Sequence, residues 1–191
     1  WNTKLFSPSR KLFGVSSSTV TTGVAVGEYG TILSISTNQE WKYTSTGITI
    51  DNLSGISIID RDNAFAVSSN GNTFQTTNGG TNWHLLPKIT NYGFNAASFT
   101  DVDNGIIVGD QGTIFRLTQG GESWEEHSFP TPSSLRGVSF IDRNRGIAVG
   151  DNGTILRTTN GGQTWNAKII QSGNGLYSVS FVDDTTAYVV G

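Results

Sequence analysis

The chain has 191 residues, of which 35% are hydrophobic and 14% charged, with 24 glycines and a formal charge of −3. That length admits one good core or two small ones, and charge is scarce beside the roughly 25% of an ordinary soluble domain. There is no basic excess for nucleic acid or an anionic membrane, no apolar stretch of membrane-spanning length, and no signal-peptide core near Trp1. The absence of cysteine excludes a disulfide frame, a thiolate nucleophile and a cysteine metal site. With no methionine, the chain is expected to be a processed form or an excerpt.

The sequence repeats. Trp1, Trp41, Trp83, Trp124 and Trp165 recur at intervals of 40 to 42 residues, and stricter columns keep a spacing of 41. These are Gly14, Gly55, Ala96, Gly137 and Ser178; Ser16, Ser57, Ser98, Ser139 and Ser180; and Gly27, Ser68, Gly109, Gly150 and Gly191. Asp60, Asp101, Asp142 and Asp183 form a fourth. In chain order, residues 1–11 hold the last strand of one unit, repeats follow at 12–52, 53–93, 94–134 and 135–175, and 176–191 begin another. The copy from Leu135 shows the elements. Leu135–Ile141 alternates as a strand, A; Ile147–Val149 is a short, wholly apolar strand, B, buried on both faces. Asp151–Gly153 is a tight turn, Thr154–Thr158 is strand C, Asn160–Gly162 is a second turn, and Thr164–Ile170 is strand D.

No helical period appears. Each copy is a four-stranded antiparallel meander of about 41 residues, the size of one β-propeller blade. One meander cannot bury both faces, so the blades must stack. The small column on strand A suits the crowded inner strand, and the tryptophan suits the wide outer gap. The expected class is therefore all-β, a β-propeller with four to five blades in this chain and part of a larger one of six to eight. A solenoid of stacked sheets would show the same period.

Thr158-x-Asn160-Gly161-Gly162-x-Thr164-Trp165 resembles the Asp-box, or BNR, repeat, with asparagine in the place of aspartate. Thr76, Asn78, Gly80 and Trp83 make a second good copy, and Gln119, Gly121 and Trp124 a weakened third; Ser36 to Trp41 is one residue short. The wider repeat is similar to the photosystem II stability/assembly factor-like family. That resemblance implies a propeller working through protein contacts, with the box lying away from any active site. Sialidases, xyloglucan hydrolases and sortilin-type receptors share the box, so it specifies fold more than function. Locally, the asparagine can bond N–H groups of its own turn, the glycine takes left-handed backbone, and the tryptophan anchors the hairpin.

What recurs in every copy is architecture, and chemistry should appear as a departure. Asp101 to Gly105 and Asp142 to Gly146 look like calcium-loop openings, yet the aspartate recurs with different neighbours and no glutamate follows at the required spacing; capping of the A–B turn accounts for it. Glu125, Glu126 and His127 read as a solvated edge strand. The arginine triad that sialidase chemistry requires is not assembled: Arg116 and Arg157 share one strand C position, Arg61, Arg143 and Arg145 lie in A–B turns, and only Arg10 and Arg136 remain for the other end. No catalytic residue, metal site or cofactor is expected. In a meander the A–B and C–D turns share one end and the B–C and D–A connections the other. That second end carries the variable loops, where binding residues usually sit. Tyr29, Tyr92, Arg136 and Tyr177 are the expected contact residues there.

The function expected is a non-catalytic, extracytoplasmic scaffold (secreted, surface-borne or in a periplasm or lumen) for protein–protein interaction or assembly. The alternative is a carbohydrate-active propeller, sialidase- or xyloglucanase-like, with catalytic residues outside this segment. A protein partner is expected and a glycan is possible; nucleic acid and membrane insertion are not.

Overall fold

A computed structural model of the chain describes residues 10–19, 22–35, 41–45, 49–118, 123–170 and 174–191. The N-terminal strand expected over residues 1–11, with Trp1, lies outside them except at residues 10 and 11.

Four antiparallel four-stranded meanders follow one another. The first holds β1 (Leu12–Thr19), β2 (Thr22–Gly27), β3 (Thr31–Ile35) and β4 (Trp41–Ser45). The second holds β5 (Leu53–Ile58), β6 (Ala64–Ser68), β7 (Thr73–Thr76) and β8 (His84–Leu85). The third holds β9 (Phe94–Asp101), β10 (Asn104–Gly109), β11 (Ile114–Thr118) and β12 (Ser123–Glu126), and the fourth β13 (Leu135–Phe140), β14 (Gly146–Gly150), β15 (Thr154–Thr158) and β16 (Asn166–Ile169). A two-stranded sheet, β17 (Ser178–Phe181) and β18 (Ala187–Val190), ends the series. The chain is all-β with propeller blades, as the repeat predicts.

The core lies between the sheets. Val24, Val26 and Ile32 of the first sheet cluster with Ile56, Phe74 and Trp83 of the second. Phe65 and Val67 join Phe99, Phe115 and Leu117 across the next gap. Ile106, Val108 and Ile114 meet Val138, Leu156 and Trp165 across the third. Trp83, Trp124 and Trp165 thus fill the space toward the preceding sheet, and Trp124 and Trp165 meet Phe99 and Phe140 edge-to-face at 6.1 Å. Burial is supplied by the neighbouring blade. Ile56 and Val138 are 7% and 9% exposed, whereas Val15, their equivalent on the first sheet, is 73% exposed.

The inner strands explain the small column. A Cβ added at Gly55 would lie 3.1 Å from the Ala96 Cα, and one at Gly137 3.1 Å from the Ser178 Cα. The serine column has a role that its spacing alone does not reveal. The hydroxyls of Ser16, Ser57 and Ser98 accept the backbone N–H groups of Ile58, Phe99 and Phe140 from the next sheet, at 3.1, 3.0 and 3.1 Å. The same serine hydrogen bond thus recurs in each of these three gaps and ties blade to blade.

Strand D is shorter than expected. β16 begins at Asn166 rather than Thr164, because the Thr164 N–H is taken by the Asn160 side chain at 3.0 Å and stays in the turn.

Two substitutions test this packing. A Cβ at Gly150 would meet the Ser134 carbonyl oxygen at 2.2 Å, a backbone clash that no rotamer relieves. Gly150→Ala should cost about 3 kcal/mol and lower the melting temperature by roughly 6–12 °C. Ser57→Ala strands the buried Phe99 N–H and should cost about 1–2 kcal/mol in urea titration, whereas Ser180→Ala on the exposed last sheet should change nothing measurable.

Candidate functional site

Two faces differ in character. At one end lie the A–B turns and the Thr-x-Asn-Gly-Gly turns. Asp60 Oδ1 accepts the N–H groups of Asp62 and Asn63, both at 2.8 Å, and Asp142 Oδ1 those of Asn144 and Arg145 at 2.8 and 2.7 Å. Asp183 repeats the pattern with Thr185 and Thr186, and Asp101 with Asp103. These carboxylates cap turns.

In the glycine turns the threonine is the hub. Thr158 Oγ1 donates to Asn160 Oδ1 at 2.9 Å and accepts the Gly162 N–H at 3.0 Å. Thr76 does the same with Asn78 and Gly80, at 3.1 and 3.0 Å. Gly79, Gly80, Gly161 and Gly162 all have φ between 67° and 86°, a left-handed backbone that glycine adopts without steric cost. Gln119 and Gly121 lie outside the described residues; Trp124 lies on β12, half-buried.

The opposite face carries the B–C turns and D–A loops. Each B–C turn is laced to the loop before its blade by one backbone bond: Glu28 N–H to Lys11 O, Ser69 to Asn52, Asp110 to Gly93 and Asp151 to Ser134, at 2.9–3.1 Å. The turn tips of the first, third and fourth blades are left-handed at Tyr29, Gln111 and Asn152, with φ of 53°, 56° and 58°. Asparagine takes this conformation readily; a tyrosine there is unusual.

Strand A opens with a β-bulge in each four-stranded blade. The register slips between Leu12 and Gly14, Leu53 and Gly55, Phe94 and Ala96, and Leu135 and Gly137. Phe13, Ser54, Asn95 and Arg136 are therefore the unpaired residues, aimed out of the ladder onto this face. That is why this column varies while its neighbours do not. Ser54 and Asn95 bond carbonyls of the next blade, Phe94 O and Leu135 O.

The expected contact residues fall into two kinds. Tyr29, Tyr92 and Tyr177 are 60%, 46% and 61% exposed. Arg136 is half-buried and held bidentately by Asp151, at 3.0 and 2.8 Å, so it is a fixed charge pair rather than a free hand. Asp151's hydrogen bonds raise the Arg136 pKa above its ordinary value. Tyr29 and Tyr177 lie at opposite ends of the blade series. The sequence reading missed two features. Arg10 lies over the rings of Tyr29 and Tyr43, 5.5 and 6.0 Å from their centroids, and donates to the Tyr43 hydroxyl at 3.1 Å. Asp51 gathers the amides of Asn70 and Asn72 at 2.7 and 2.6 Å and the Ser68 hydroxyl at 3.3 Å.

Glu125 faces Arg116 at 3.7 Å and His127 at 3.4 Å on an outer strand. Among the described residues, no three His, Cys, Asp or Glu side chains converge as metal ligands, and no helix is long and apolar enough to cross a membrane.

The turn carboxyls set the acid behaviour. The Asn63 amide, the Arg145 N–H and the Thr185 N–H hold Asp60, Asp142 and Asp183 below the usual carboxylate value. At Asp101 burial opposes the shift, but Asn104, the Asp103 N–H and Arg143 outweigh it. Because folding lowers these pKa values, their stabilisation is complete above the unfolded value of 3.8 and is lost as pH falls through the folded ones. The urea midpoint should accordingly be flat in this contribution from pH 7 to 5 and drop below pH 4.

The family model of the Photosynthesis system II assembly factor YCF48 matches residues 122–191. No curated protein matches by sequence. Solved structures of similar shape include YCF48 bound to D1 peptide, with 17% identity, a TM-score of 0.75, and coverage of 98% of this chain and 63% of that one. YCF48 from Cyanidioschyzon merolae gives 18% identity, a TM-score of 0.71, and 97% and 68% coverage. A streptogramin B lyase gives 17%, 0.80, and 96% and 63%. GH74 enzymes share the shape as well. The chain spans about 63% of the first of these structures. The resemblance to the BNR-propeller, photosystem II assembly factor-like family therefore holds in the C-terminal repeats and in the fold.

Proposed function

We propose that this chain, similar in repeat and fold to the photosystem II assembly factor-like propellers, is a non-catalytic scaffold that binds a protein partner outside the cytoplasm. The observation that carries this reading is the bulge at the head of strand A. It turns a variable column of strand A, with Arg136 among its members, onto the same face as the exposed rings of Tyr29, Tyr92 and Tyr177. Aromatic side chains on stiff turns bury large area at small entropic cost, which suits protein recognition. The likeness to a propeller bound to D1 peptide supports the same reading. Low charge and abundant Ser, Thr and Asn support an extracytoplasmic address.

Photo-crosslinking residues placed at Tyr29, Tyr92 or Tyr177 should yield adducts with a protein in the native host, and the same label at Asp103 or Gln163 on the other face should not. An alkaline phosphatase fused to the chain, which needs its disulfides to form outside the cytoplasm, should be active. Adducts confined to the Asp103 face would overturn the assignment of the contact to the loop face, and release of reducing sugar from xyloglucan or a sialoside would overturn the scaffold reading and favour the carbohydrate-active one.

A further inference from the structure

The three gaps between four-stranded blades are built from the same columns, and one of them is left open. In the gap between the third and fourth sheets, Arg116 of β11 reaches across and donates from Nε to the Gly161 carbonyl at 3.0 Å. Phe140 fills the floor, Arg143 closes the mouth on Asp101 at 2.8 Å, and only about 10 Å³ of space remains. In the gap between the second and third sheets, Phe65 and Phe99 stack with centroids 4.1 Å apart.

Between the first and second sheets every filler is smaller. Ser34 stands where Gln75 and Arg116 stand, Val24 where Phe65 and Ile106 stand, and Ile58 where Phe99 and Phe140 stand. At the mouth, Arg61 matches Arg143. The outcome is a cleft of about 280 Å³ between these sheets, floored by Val24, Ile58 and Trp83 and edged by Gly79, Asp60 and Asp62. Gly79 is the counterpart of Gly161, whose carbonyl receives the arginine in the closed gap. Serine is too short to span that distance.

The geometry points to this cleft as a docking site for an arginine side chain of a partner protein, which would enter from solvent and take the place that Arg116 occupies in cis. The apolar floor receives the methylene stem, the Gly79 carbonyl stands ready for a guanidinium N–H, and among the described lining residues the two carboxylates Asp60 and Asp62 outnumber the one cation, Arg61. Asp60 is already engaged by Asn63, so Asp62, which is exposed, is the residue placed to meet the incoming charge. The inference rests on the scaffold reading only in assigning the arginine to a protein partner. The cleft and the loop face lie at opposite ends of the blades, so each can fail without the other.

The test is NMR titration of the chain with Nα-acetyl-arginine amide, observed at the Trp83 indole N–H. Saturable shifts at millimolar concentration are expected, at least about tenfold weaker with the neutral citrulline analogue, since hydrogen bonds to charged groups carry that much discrimination. Ser34→Arg should abolish the shifts and raise the melting temperature by about 2–4 °C by filling the cleft. Ser34→Gln, which copies the second blade, should weaken binding should the arginine variant misfold. No shift in the unaltered chain, equal binding of citrulline, or undiminished binding in both variants would overturn the proposal.

Discussion

Everything in this molecule depends on how closely the inner strands approach. At Gly55 and Gly137 the backbone of one blade lies against the Cα of the next, with room for a hydrogen and little more. Such contact draws the serine hydroxyls within reach of the neighbouring N–H groups, and further along the gap the tryptophans pack between the sheets. Neither device works alone. Without the small column the serine bond could not form, and without the tryptophan the outer gap would be a void of the kind that costs stability in proportion to its volume.

The same logic separates scaffold from surface. On the turn face the recurrent aspartates Asp60 and Asp142 and the hub threonines Thr76 and Thr158 are consumed by their own turns, which leaves them little to offer a ligand. The loop face is rigid for another reason, since each turn there is tied to the preceding loop by a backbone bond. On that fixed ground the bulge residue is a position free to change. In the second and third blades it is spent on the next blade's carbonyl, in the fourth on Asp151, and in the fifth Tyr177 is exposed.

The first blade departs most from the consensus, and its departures are subtractive. Ser34 and Val24 take less volume than their counterparts, and Tyr29 accepts left-handed backbone that an asparagine would take more easily. Arg10 lies against Tyr29 and Tyr43, the only arginine among the described residues recorded over an aromatic ring.

The blade, its strand order and the capping role of the aspartates were legible in the sequence, because a 41-residue period multiplies each local signal by the number of copies. Turn chemistry was legible for the same reason: Asn-Gly-Gly admits few backbone paths. Pairwise relations between copies were not legible. The serine ladder joins residues 42 apart, the bulge appears only when two strands are laid side by side, and Arg136 proved to be held by Asp151 through a contact that no spacing foretells. The cleft beside Trp83 lies furthest from the sequence, since it arises from three small side chains on two blades facing one space. Local periodicity determines what each wedge is made of, whereas the volume left between wedges is a sum over neighbours that only the folded stack can evaluate.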